Sequence, residues 1–109
     1  MKPEISIVIP AYNEEESLYP LFDELYPVMV GLERSFELIF INDGSKDETL
    51  PILYDLYKKC PEMRVIDLNG NFGQHMAIMA GFEEARGEII ITLDADLQNP
   101  PDEIPNIIE

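Results

Sequence analysis

The chain has 109 residues, enough for one domain or part of one, and its 46% hydrophobic content supplies a core and excludes a disordered tail. Asp and Glu outnumber Lys and Arg by 22 to 7, for a net charge of -15, and only Lys58 and Lys59 are adjacent basic residues. No basic stripe exists to track a phosphate backbone, so nucleic-acid binding is excluded, and a polyphosphate ligand would be repelled unless a cation or backbone dipoles intervened.

Residues 5–9, ISIVI, form a β-branched apolar run ending at Pro10, as expected of a strand buried on both faces of a parallel sheet. Ser17 is positioned to cap a helix in which Leu18, Leu21, Phe22, Leu25, Met29 and Leu32 recur at helical spacing. Pro20 falls in its first turn, where proline is tolerated, whereas Pro27 is expected to kink or shorten it. FELIFIND, residues 36–43, reads as a second strand, and Asp43-Gly44-Ser45 as a turn. Asp47 or Ser45 is the expected cap of a second helix that carries Leu50, Leu53, Tyr54 and Tyr57 and ends at Pro61. MRVIDLN, 63–69, is a third strand, followed by a glycine-punctuated loop. A third helix is expected from about Gln74 to Arg86, stopped by Gly87, and a fourth strand over 88–94. DEIPNIIE then reads as the opening of a further element, with Ile104, Ile107 and Ile108 at helical spacing.

This βαβαβαβ order predicts an α/β fold, a Rossmann-like, mostly parallel sheet with helices on both faces. Ligands in such sheets lie beyond the carboxyl ends of the strands, so the residues after each strand carry the functional information: 11–14, 42–45, 69–73 and 94–98. Asp94 and Asp96 stand at i and i+2 after an apolar strand, a spacing that sends both side chains to one side of an extended chain. Two such carboxylates repel unless something positive sits between them, and a hard divalent cation with oxygen ligands suits them. Gln98 can add a neutral oxygen. The alternative is a solvated acidic turn. Asp43 either closes its Asp-Gly turn or accepts hydrogen bonds from a base or ribose. Pro10 and Tyr12 offer a rigid bend and a ring face, and Glu14 either clamps ribose hydroxyls or merely suits the following helix dipole. Free N–H groups at the start of the third helix could face a phosphate, although the loop is too irregular for a dinucleotide fingerprint or a P-loop. His75, the only histidine, is more simply packed or capping than catalytic, and Met76, Met79 and Phe82 read as core.

Cys60 is the only cysteine, so no intrachain disulfide forms; this fits a reducing compartment, and the thiol reads as inert. No signal-peptide core is visible, and no apolar run approaches the ~20 residues of a membrane-spanning helix. The chain as given reads as soluble.

Together, ISIVIPAYNEEESL, FELIFINDGSKDET and NFGQHMAIMAGFEEARGEIIITLDADLQNPPDEIP resemble, in order and spacing, the family 2 glycosyltransferases of GT-A fold. Within them they are most similar to the polyprenyl-phosphate sugar transferases, the group of dolichol-phosphate mannose synthase and the undecaprenyl-phosphate aminoarabinose transferases. The resemblance implies that residues 1–109 are the N-terminal, nucleotide-sugar-binding half of such a domain. It implies that Pro10, Ala11, Tyr12 and Glu14 line the nucleotide base and ribose, that Asp43 bonds the base, and that Asp94, with Asp96 and Gln98, holds Mg²⁺ or Mn²⁺ against the diphosphate. The implied donor is a nucleotide-sugar, UDP-linked rather than GDP-linked, and the implied acceptor a polyprenyl phosphate. The acceptor half and membrane-attaching helices would lie downstream, with the longer protein on the cytoplasmic face of the membrane. The chain alone would then bind nucleotide and metal without catalysing transfer. Relatives usually carry arginine where this chain has Gly70, which removes a cation from the third loop. The alternatives are a nucleotide-binding module and an inactive folded piece that self-associates through an uncovered sheet edge.

Overall fold

A computed structural model describes residues 2–96 and 101–108. Four strands alternate with helices: β1 (Ile5–Ala11), α1 (Leu18–Gly31), β2 (Phe36–Asn42), α2 (Thr49–Lys59), β3 (Met63–Asp67), α3 (Gln74–Glu84) and β4 (Ile89–Thr92). A 3-10 turn (Pro101–Glu103) and α4 (Ile104–Ile108) follow, so the spacing of Ile104 and Ile108 does open a helix. The sheet order is β3-β2-β1-β4 and every pairing is parallel. Ile5 lies opposite both Phe36 and Ile89, which brings the carboxyl ends of all four strands to one edge.

The two-residue alternation of the strands divides the core. Ile5, Ile7 and Ile9 join Leu38, Phe40 and Met63 against Leu18, Leu21, Leu25 and Met29 of α1 and Leu53 and Leu56 of α2. Val8, Ile39 and Ile41 face the other way, onto Ala77 of α3. Helices therefore cover both faces. Burial of each isoleucine contributes about 1.5–3 kcal/mol before entropy is counted.

α3 lies close to the sheet because its inward residues are small. A Cβ on Gly81 would stand 2.4 Å from Val8 Cγ1 and 2.9 Å from Ile41 Cδ1. The larger apolar residues point outward, so Met76, Met79 and Phe82 are exposed at 54, 43 and 42%, contrary to their reading as core. The helix ends at Glu84, before Gly87. Gly87 is instead a close-approach position, where a Cβ would fall 2.7 Å from Ser6 N.

Three other local expectations change. Ser17 is the N-cap residue of α1, but its side chain makes no capping bond, and α1 continues through Pro27 to Gly31. β1 runs past Pro10 to Ala11. Val8 O accepts from Leu93 on the β4 side and Ala11 O from Asp43 on the β2 side, so alternation turns Pro10 toward β4, whose pairing has already ended at Val8–Thr92. The missing proline N–H therefore breaks no ladder bond.

At the opposite end of the sheet, Glu37 is 2% exposed within a polar cluster under α3. It accepts from Ser6 Oγ at 2.6 Å, the Arg86 backbone N–H at 2.8 Å, Arg64 Nη1 at 3.1 Å and Arg86 Nη2 at 3.2 Å. Among the described residues no helix is long and apolar enough to cross a membrane.

Candidate functional site

The loops after β1 and β2 are stitched to each other. Asn13, at φ 53°, donates its N–H to Ser45 Oγ (2.9 Å), and its Oδ1 accepts from Lys46 N (2.8 Å). The Glu14 N–H donates to Thr49 Oγ1 at 2.8 Å, in the first turn of α2. Asp47, rather than Ser45, closes that turn: its Oδ1 accepts from both the backbone N–H (2.9 Å) and the hydroxyl (2.6 Å) of Thr49. Burial acts to raise the Asp47 pKa, but these bonds and the Glu15 N–H outweigh it and hold the carboxyl below its usual range.

The loop after β3 is held by Asp43. This side chain is 4% exposed, and its two oxygens accept the backbone N–H groups of Phe72 (2.7 Å) and Gly73 (3.0 Å). Gly44 permits the contact: it has φ +69°, and a Cβ there would lie 2.5 Å from Asn71 N and Gly70 C. Gly73, at φ 94°, then starts α3, and Gln74 Nε2 donates to Asp94 Oδ1 at 3.3 Å.

These loops enclose a cleft of about 390 Å³ at the β1–β4 junction, lined by Pro10, Ala11, Tyr12, Glu14, Asp43, Asn71, Gly73, Gln74, Asp94, Ala95 and Asp96. Here the strand order reverses, the usual ligand position in open parallel sheets. Seven residues marked in the sequence thus meet in one place. Asp94 and Asp96 arrive by a different geometry from the expected one. β4 stops at Thr92, and residues 95 and 96 form a turn, so the turn and not strand alternation brings both to the cleft. Gln98 lies outside the described residues. Asn71 and Gln74 were not singled out as site residues, although their loop was; His75 is exposed and does not line the cleft.

Among the described residues no Lys or Arg lines the cleft, while Glu14, Asp43, Asp94 and Asp96 all carry carboxylates. Partial burial, then the charges of Asp96, Asp47 and Asp94, raise the Glu14 pKa above its ordinary value. The donor set is hard oxygen, which fits Mg²⁺ or Mn²⁺. Among the described residues no three His, Cys, Asp or Glu side chains form a ready-made ion cage. That also fits a cation that takes one or two carboxylates and completes its shell from a substrate phosphate.

Fold and cleft define an α/β protein of GT-A glycosyltransferase architecture. A mannosyltransferase from Pyrobaculum calidifontis, solved with GDP-Man and Mn²⁺, superposes on 99% of the chain with a TM-score of 0.84 at 22% identity, this chain covering 32% of it. S. aureus TarS residues 1–349, solved with UDP-GlcNAc, matches 99% of the chain at a TM-score of 0.76 and 26% identity, with 30% of its own length covered. The chain belongs to glycosyl transferase family 2, whose profile matches residues 6–109. It is 51% identical over 106 residues to the undecaprenyl-phosphate 4-deoxy-4-formamido-L-arabinose transferase of Pseudomonas fluorescens, and 50% identical over 107 residues to that of Photorhabdus laumondii. These matches take in 95 and 96% of the chain, which spans 31 and 33% of the relatives' length.

Proposed function

We propose that this chain is the donor-binding portion of an inverting glycosyltransferase that moves a sugar from a nucleotide-sugar, UDP-linked, to a polyprenyl phosphate. The observation that carries the reading is the convergence of Glu14, Asp43, Asp94 and Asp96 in one cleft with no cationic residue among the described lining residues. Such a cleft repels a diphosphate, and a bound cation would offset that repulsion. The relatives' names supply the polyprenyl acceptor, and the solved neighbours with GDP-Man and UDP-GlcNAc support a nucleotide-sugar donor, UDP being chosen on the sequence resemblance.

In this reading the 43%-exposed Tyr12 ring offers a face to the base, beside the bend at Pro10 and Ala11. Glu14, anchored through its backbone to Thr49, is held where it can accept from ribose hydroxyls. Asp94 and Asp96 would hold Mg²⁺ or Mn²⁺, with Gln98 a further ligand by resemblance. Held there, a cation would supply positive charge to offset that on the departing nucleoside diphosphate, whose bond to the anomeric carbon breaks as the acceptor phosphate oxygen bonds to that carbon from the opposite side. The chain spans about a third of its relatives, so the reading assigns it donor binding and assigns acceptor binding and transfer to sequence beyond it. It also puts the whole protein at the cytoplasmic membrane face, where a lipid phosphate and a soluble nucleotide-sugar meet.

Calorimetric titration of UDP tests this. Binding with Mn²⁺ that disappears in EDTA and in Asp96→Ala supports the donor site. Equal binding with and without metal contradicts it, and no binding under either condition leaves a folded piece without a formed site.

A further inference from the structure

We propose that Gln74 is a positioning residue for the cation–diphosphate corner of the cleft, a role that rests on the donor-site reading above. Its side-chain amide donates to Asp94 Oδ1 at 3.3 Å, across 20 residues of sequence. Gln74 is the first residue of α3, and its place is fixed from behind. Asp43 grips the Phe72 and Gly73 N–H groups, Gly73 N–H also donates to Asn71 Oδ1 at 3.2 Å, and Gly44 lets the loop backbone approach to contact. A buried carboxylate at the end of β2 thereby aims an amide at a carboxylate beyond the end of β4.

The chemistry explains why an amide stands there. Asp94 lies near other acids: its charge, with those of Asp96 and Asp47, raises the Glu14 pKa. The Gln74 amide helps to fix the orientation of Asp94. Lys or Arg would do so while cancelling the charge that attracts a cation. A neutral N–H donor orients one oxygen and leaves the negative charge intact. Gln74 also lines the cleft itself, so loss of its amide acts where the diphosphate would lie.

The test is UDP affinity at stepped Mn²⁺ concentrations, and in EDTA, for the unaltered chain, Gln74→Met and Gln74→Lys, with thermal melts to confirm folding. Methionine matches glutamine in length but donates nothing. Its expected effect is a fall of about tenfold in Mn²⁺-dependent UDP affinity, with half-saturation shifted to higher Mn²⁺ and residual binding in EDTA unchanged. Lysine reaches Asp94 but carries charge, and is expected to raise the Mn²⁺ requirement further. If the unaltered chain binds UDP with Mn²⁺ and Gln74→Met shows the same Mn²⁺ dependence, the positioning role is overturned and the donor site stands. An equal loss with and without metal also overturns it, because a disturbed loop would do the same. If the unaltered chain shows no Mn²⁺-dependent binding, the donor-site reading falls and this inference falls with it.

Discussion

The Asp43 carboxylate accepts the Phe72 backbone N–H at 2.7 Å, from a loop 29 residues further along the chain. With the Gly73 N–H on the other oxygen, it ties the end of β2 to the start of α3. The family resemblance gives Asp43 to the nucleotide base. In the structure it holds the wall of the cleft, and each oxygen has a second lone pair.

Asp43→Ala takes the acceptor from the Phe72 N–H and leaves the Gly73 N–H with Asn71 Oδ1. It should cost about 1–3 kcal/mol in urea unfolding. Amide exchange at Phe72 and Gly73 should accelerate more than exchange in β1. A loss under about 0.5 kcal/mol would show that the loop is held by other means.

Glu37 makes stability pH-dependent. Burial pushes its carboxyl up, but the bonds from Ser6, the Arg86 N–H, Arg64 and the Arg86 side chain outweigh this, leaving it below the ordinary 4.5. A depressed folded pKa means the stabilisation is complete above the unfolded value and lost as pH falls through the folded one. Glu37→Gln should cost about 2–3 kcal/mol at pH 7. The gap to the unaltered chain should stay constant down to pH near 5 and narrow below 4.5. A gap that widens on acidification would contradict the cluster's assigned role.

Gly81 is needed for packing. Alanine there puts a methyl 2.4 Å from Val8 Cγ1, a branched side chain with no room to swing away. Despite alanine's better helix propensity, Gly81→Ala should lower stability by about 1–3 kcal/mol. Gly81→Ala with Val8→Ala should recover part of that loss, which a double-mutant cycle reads directly.

Cys60 should be unreactive in the folded chain. It is 1% exposed, and burial pushes its thiol up to about 11. At pH 8, labelling by a maleimide should follow the unfolding equilibrium and speed up in urea. Fast labelling of the native protein would place the thiol at the surface.

The alternation of helical and apolar strand segments made the α/β order and the four strand-end loops legible in the sequence. This is because parallel strands buried on both faces read as unbroken β-branched runs. Met76, Met79 and Phe82 misled because apolar helical spacing does not say which side packs; Ala77 and Gly81 won the inward face by letting α3 approach the sheet. Pro10 misled because proline's cost in a strand depends on whether its missing N–H had a partner to lose, which sequence does not show. The Phe72–Asp43 and Gln74–Asp94 hydrogen bonds are tertiary, and no local pattern announces a bond across 20–30 residues.

The most direct test of the central claim, that the four strand-end loops form one donor site, is an amide NMR map of the ¹⁵N-labelled chain titrated with UDP and Mg²⁺. Shifts are expected only at residues 11–14, 43, 71–74 and 94–98, and EDTA should reverse them. Shifts clustered elsewhere, such as the cleft beside Tyr54, Tyr57 and Arg64, or shifts indifferent to the metal, would contradict the claim.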